Sequence, residues 1–286
     1  EHYREAIRLS PDFPEAHANI GLVLLRQGKP GEALPHLSEA VRLRPDFALA
    51  QSGYGLALSQ TGRYNEGINA LQEALKLTPD SAEVHHNLGL AFSASGRYPD
   101  ALSEYAKALS LQTDFPEAYF NQGLAMAATL NFQGAIESYQ SALKQNPQYV
   151  EAIVSTGIAL AALGRTEESV TQYEAALKLK PDMTIALQNL AVSVASLGRF
   201  DEAVGHLQAA LKLDPNSASA YNNLGRITVD KDGRVWLLSR SRQNNFHTPL
   251  GTVWMDHAVY FDGKAWVGPD RKSTRLNSSH GYISYA

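Results

Sequence analysis

Residue types return every 34 positions along most of this chain, and no insertion or deletion breaks the register. Counted from Pro14, Ala48, Ala82, Pro116, Val150 and Thr184, the eighth position is Gly21, Gly55, Gly89, Gly123, Gly157 and then Ala191. The twenty-seventh is always alanine: Ala40, Ala74, Ala108, Ala142, Ala176 and Ala210, with Ala6 extending the series backwards. The thirty-second is proline at Pro11, Pro45, Pro79, Pro147, Pro181 and Pro215, and Thr113 is the exception. A fixed period of this length means stacked helix–turn–helix units, not one compact globule. Such a chain offers a surface that binds rather than a pocket that reacts.

The third unit shows how the code works. Val84, Leu88, Ala91 and Phe92 recur at helical spacing and predict one buried stripe over Ala82 to Ser95. Gly96-Arg97 breaks that helix, because glycine enters the left-handed region without a Cβ penalty. Tyr98-Pro99-Asp100 starts a second helix, which buries Ala101, Leu102, Tyr105, Ala108 and Leu109. Gly89 and Ala101 remove bulk where the two helices cross, and Ala108 does so where the second meets the next unit. In most units proline then ends the second helix, since the residue before it avoids the α region.

Gly or Ala at position 8, Gly at 15, an aromatic at 17 (Tyr64, Tyr98, Phe132, Phe200), Ala at 20, Tyr or Leu at 24, Ala at 27 and Pro at 32 resemble the tetratricopeptide repeat. Leu130 in place of Gly and Gly67 in place of Ala are the departures. The resemblance covers Glu1 to about Gly225. It implies a mainly α fold, a right-handed α-solenoid of about six full helix–turn–helix repeats plus partial ones at both ends. It also implies first helices lining a concave face, and a role in binding proteins or extended peptide segments in that groove.

Positions 2, 5, 6, 9, 12 and 13 would face the groove. Position 6 is Asn19, Asn87, Asn121, Asn189 and Asn223, with Gly53 and Ser155 between. A carboxamide both donates and accepts, so it can pair with a peptide backbone without reading its side chains. First helices about 8–10 Å apart would set one Asn against roughly every third residue of an extended peptide. The alternative is a half-buried amide bonded locally between helices, and the residues alone do not choose. The asparagine series is similar to the superhelix of O-linked N-acetylglucosamine transferases, without their catalytic domain. Leu22, Leu56, Leu90, Leu124, Ile158 and Val192 at position 9 add shallow apolar contacts. Glu15, Glu83, Glu117 and Glu151 at position 2 make one rim acidic, which suits a neutral to basic segment. No Lys or Arg stands at positions 2, 5 or 6, so a clamp for a C-terminal carboxylate is disfavoured.

Formal charge is −4; the last seventeen residues carry +2, so the body carries −6 and argues against nucleic acid. The chain has no Cys, which excludes disulfides and thiolate chemistry without choosing a redox compartment. No apolar run reaches the roughly 18 residues of a membrane span. His85 and His86 are adjacent on a helix and point about 100° apart, so they do not share a metal. His17 shares position 4 with His85, and His36 shares position 23 with His206. No metal, cofactor or catalytic residue is expected, and the oligomeric state is unknown.

The proposed division is a partial repeat at 1–13, repeats at 14–47, 48–81, 82–115, 116–149, 150–183 and 184–217, and a partial repeat at 218–225. Glu1 enters in mid-unit, so the natural N-terminus is expected upstream; the compartment is unknown, the cytoplasm being favoured. After Gly225 the pattern changes to strands at Ile227-Thr228-Val229, Arg234 to Leu238, Val253-Trp254-Met255, Val259-Tyr260-Phe261 and Lys264 to Val267. This β-rich stretch, 226–269, is similar to one blade of the β-propeller sensors beside bacterial two-component regulators. Residues 270–286 resemble a translated sequencing adapter, an artefactual and disordered tail. That tail points to a metagenomic fragment and leaves open whether the β segment belongs to the same gene. The leading reading is a protein-interaction scaffold. The others are the recruiting arm of a glycosyltransferase and a bacterial sensor joining repeats to a propeller.

Overall fold

The computed structural model describes residues 2–229 and, beyond them, 235–237, 246–248, 251–253, 259–261 and 266–267. The expected tail at 270–286 lies outside the described residues. After α1 (His2–Leu9), helices come in pairs: α2 (Pro14–Arg26) with α3 (Pro30–Leu43), α4 (Ala48–Gln60) with α5 (Tyr64–Leu77), and α6 (Ala82–Ala94) with α7 (Tyr98–Leu111). They continue as α8 (Pro116–Ala128) with α9 (Phe132–Gln145), α10 (Val150–Ala162) with α11 (Thr166–Leu179), and α12 (Thr184–Ser196) with α13 (Phe200–Leu213). Helix α14 (Ala218–Arg226) is a shortened first helix. Two compact units divide within α10, at residues 1–159 and 160–286.

Each hairpin is closed by the same turn. The glycine at position 15 has φ of +70° to +84° in Gly28, Gly62, Gly96, Gly164 and Gly198. The following N–H reaches back to the carbonyl four residues before the glycine, as in Arg97 N to Phe92 O at 2.9 Å and Arg63 N to Leu58 O at 2.9 Å. This Schellman closure satisfies carbonyls that the helix end leaves without partners. Leu130 makes the same turn with φ of +63° and leaves its side chain 75% exposed. The fold imposes the glycine geometry there on a residue poorly suited to it.

Within a hairpin the helices meet at points with almost no side chain. A Cβ on Gly89 would lie 2.5 Å from Tyr105 Cε1, and one on Gly123 would lie 2.5 Å from Tyr139 Cε1. The partner of the position-8 glycine is thus the large residue at position 24, while Ala101, at position 20, is fully buried beside it. The alanines at position 27, Ala40 through Ala210, are all fully buried. Ala40 packs with Ala18 and Ala50, joining one unit to the next. A longer cluster runs from Ile68 and Leu71 on α5 through Leu88 and Phe92 on α6 and Tyr105 on α7 to Ala125 on α8. Within residues 1–159 the core therefore runs on from one repeat to the next.

In residues 1–159, successive first helices approach each other (α2 with α4, α4 with α6, α6 with α8) more closely than successive second helices do. The row whose members touch is the inner side of the stack, so the first helices line it. In residues 160–286, α11 packs on α12, α12 on α13 and α13 on α14. Short strands follow: β1 (Thr228–Val229), β2 (Val235–Leu237), β3 (Phe246–Thr248), β4 (Gly251–Val253), β5 (Val259–Phe261) and β6 (Trp266–Val267). Antiparallel pairing joins them in the order β1-β2-β5-β6, with β3-β4 as a separate pair. Of the strand expected at Val253-Trp254-Met255, Val253 ends the strand Gly251–Val253, which pairs with Phe246–Thr248, and Trp254-Met255 lie outside the described residues.

Two substitutions test this packing. Gly89→Ala forces Tyr105 to move and should cost about 1–3 kcal/mol in urea unfolding. Leu130→Gly relieves the left-handed backbone and should gain about 0.5–1 kcal/mol in the same measurement.

Candidate functional site

Positions 2, 6, 9 and 13 lie three or four residues apart and form one stripe along each first helix. On α8 this stripe is Glu117, Asn121, Leu124 and Ala128; on α6 it is Glu83, Asn87, Leu90 and Ala94. Glu83, Glu117 and Glu151 stand in first turns, where a carboxylate also favours the helix dipole, and are exposed. Glu15 differs: it pairs with Arg44 of the same unit at 2.6 Å. Leu124 is 41% exposed, a large apolar side chain on a stripe where Glu117 and Ala128 are exposed too.

The five asparagines fall into two groups. Asn87 is only 8% exposed and its Nδ2 donates to Ser52 Oγ at 3.1 Å. Asn121 Nδ2 donates to His86 Nε2 at 3.0 Å. In both, position 6 of one unit bonds position 5 of the unit before. Asn19, Asn189 and Asn223 are half-buried and make no such bond among the described residues, and the equivalent partners of Asn189 and Asn223 are Val154 and Gln188. Gln188 is itself engaged with Ser217 and Ser219 at 3.0 and 2.6 Å. No buried side-chain nitrogen or oxygen among the described residues lacks a partner. The Oδ1 atoms of Asn87 and Asn121 accept no hydrogen bond from another described residue and are not fully enclosed. One N–H of each amide braces neighbouring helices, and its second N–H and its carbonyl oxygen make no bond to another described residue.

A second recurring contact had no sequence signal. The side chain at position 4 reaches the carbonyl at position 32 of the preceding unit: His17 Nε2 to Pro11 O at 2.9 Å, Gln51 Nε2 to Pro45 O at 3.2 Å, and His85 Nε2 to Pro79 O at 3.0 Å. Histidine and glutamine share nothing in hydropathy pattern, only a nitrogen donor at the same reach. In the fourth unit Tyr119 holds that position, and Gln145 Nε2 bonds Thr113 O at 2.6 Å instead. Among the described residues no three metal-ligating side chains converge. No helix there is long and apolar enough to cross a membrane.

His86 sits under Asn121, between the rings of Phe115 at 4.8 Å and Tyr105 at 5.8 Å. Burial pushes its imidazole down to about 4, so the ring is neutral and its Nε2 accepts from the amide. Because the folded value lies below the unfolded one, this stability is complete above about pH 6.5 and is lost as pH falls towards 4. Acidification over that range should cost about 3 kcal/mol at this site. His86→Gln, which keeps an acceptor without a titrating ring, should flatten that part of the pH dependence of urea unfolding.

A tetratricopeptide repeat model matches residues 86–150, 120–184, 154–218 and 189–228, and a second TPR repeat model matches 1–28 and 55–96. No curated protein sequence matches significantly. Solved structures share the fold. The APC/C hetero-tetramer Cut9-Hcn1 superposes with a TM-score of 0.68 at 19% identity over 78% of this chain, which spans only 44% of that one. PilW, a widely conserved type IV pilus biogenesis factor, gives 0.68 at 18% identity, covering 74% of this chain and 98% of PilW. YrrB, a TPR protein with an unusual peptide-binding site, gives 0.54 at 20% identity, covering 65% of this chain and 96% of YrrB. The repeat models span half the chain and more, and the hairpins, turns and buried alanines agree with them: the chain belongs to the tetratricopeptide repeat family.

Proposed function

We propose that this protein is a non-catalytic scaffold that holds an extended peptide segment of a partner protein along the stripe of its first helices. The observation that carries the reading is on α8: the half-buried amide of Asn121, held by His86, stands one turn from the exposed side chain of Leu124. An acceptor beside an apolar contact can hold a peptide backbone and one of its side chains together. The exposed carboxylates of Glu83, Glu117 and Glu151 along the same edge suit a neutral to basic segment. Peptide binding by YrrB and assembly of Cut9 with Hcn1 are uses of the same fold.

Asn19, Asn87, Asn121, Asn189 and Asn223 are assigned as backbone contacts, with one N–H of Asn87 and of Asn121 already engaged between helices. The recruiting arm of an O-linked N-acetylglucosamine transferase is a second reading, favoured by the recurring asparagine. A regulator combining repeats with a propeller is a third, resting on the strands after α14. Both call for a domain that the parent reading frame would reveal.

Selection from a random peptide library tests the scaffold reading. Bound peptides should lose about tenfold in affinity, the scale of one hydrogen bond or apolar contact, with Asn121→Ala or Leu124→Glu. Leu111→Glu, on the outer helix α7, should leave affinity unchanged. A library that yields no binder, or an equal loss from Leu111→Glu, would overturn the proposal.

A further inference from the structure

Two units of the repeat place a histidine at the same point and give it opposite partners. His17 and His85 both occupy position 4, and both set Nε2 on a proline carbonyl, Pro11 at 2.9 Å and Pro79 at 3.0 Å. A carbonyl only accepts, so Nε2 carries the proton in each ring. The other ring nitrogen faces position 23 of its own unit. There His85 Nδ1 meets Glu104 Oε2 at 2.6 Å, whereas His17 Nδ1 meets His36 Nδ1 at 3.3 Å. Lys107 Nζ holds the other oxygen of Glu104 at 2.7 Å.

The two pairs answer acid differently. The protonated His85 ring donates from both nitrogens, and both face acceptors. The space between His17 Nδ1 and His36 Nδ1 holds one proton only. With both rings neutral, His36 Nδ1–H donates to the His17 lone pair. A proton added at His36 Nε2 leaves that bond in place. A second, on His17 Nδ1, sets two N–H groups against each other. We propose that the His17–His36 contact is an acid-released latch that fastens the α1–α2 connection to α3. It stands independently of the scaffold reading.

The charged groups around the pair do not relieve this conflict. Arg4, from α1, adds positive charge beside His36. Glu39, on α3, lies near enough to His17 to feel its charge but is chelated by Arg42 at 2.6 and 2.8 Å. Asp12, in the connection, acts on Arg42. Burial, then His17, then Arg4 hold the His36 imidazole below the ordinary histidine range. The folded pair therefore takes up fewer protons than the unfolded chain once pH drops below about 6.5. Its stabilising effect is complete above that value and is lost as pH falls, by up to about tenfold in local opening per pH unit for one proton.

Hydrogen exchange of the full chain, corrected for intrinsic rates and followed from pH 7 to pH 5, reads the latch directly. Amides of residues 2–17 should open up to about tenfold more per pH unit below about 6.5. His36→Glu copies the third unit's pair into the first and should abolish that rise. Glu104→His copies the first pair into the third and should bring an acid-dependent rise to α6 and α7. Opening of residues 2–17 that stays flat with pH in the natural chain would overturn the proposal. So would a rise that survives in His36→Glu. Should Glu104→His fail to fold, the His36→Glu comparison decides alone.

Discussion

Helices stack this closely because three positions in each unit carry almost no side chain. Glycine at position 8 accepts the ring of Tyr105 or Tyr139 at a distance that no Cβ would tolerate. Alanine at position 20 sits beside it, and alanine at position 27 makes room for the next unit, as in the Ala18–Ala40–Ala50 contact. Everything else depends on that approach. The amides of Asn87 and Asn121 reach Ser52 and His86 only because adjacent first helices lie near enough for a short polar side chain to span them. The stripe along the first helices is thus aligned by the same small residues that form the core.

Where a unit departs from the pattern, a nearby side chain takes over the lost role. The third and fourth units hold several such departures. Thr113, at the end of the third, replaces the proline, and the Gln145 and Gln112 side chains bond the carbonyls of Thr113 and Asp114. Leu130 replaces the turn glycine, and Asn131 caps the following helix through Gly134 N at 3.1 Å, where other units have an Arg or Lys paired to an acid. Those exposed pairs contribute little individually, so exchanging one for a cap costs the fold little. A repeat with a continuous core tolerates this drift because each position answers only to its immediate neighbours.

Much of this was legible in the residues. Hairpin boundaries follow from Gly at 15 and Pro at 32, which punctuate helices by backbone geometry alone. Burial of Ala101, Tyr105 and Ala108 follows from helical spacing. The contact between positions 8 and 24 was less legible, since spacing places both on buried faces without pairing them. The position-4 donors to proline carbonyls were not legible at all: they join side chains to a backbone group in the preceding unit, and His17, Gln51 and His85 look unrelated in sequence. The strand at Phe246–Thr248 was missed because pairing with Gly251–Val253, not its own composition, defines it.

The sequence by itself determined the kind of object this is, because a strict 34-residue period with small residues at fixed positions has one physical solution, helical hairpins packed in series. It also determined which side chains share a stripe, because helical periodicity alone sets that. Only the tertiary structure decided how the polar groups on that stripe are used. An asparagine offers the same chemistry wherever it stands. Whether its N–H is spent on Ser52 or His86, or left for a visitor, depends on the distance between helices more than thirty residues apart in the chain. The same holds for the histidines: identical positions meet a carboxylate in one unit and another imidazole in the next but one. That difference of partner is invisible in either residue alone.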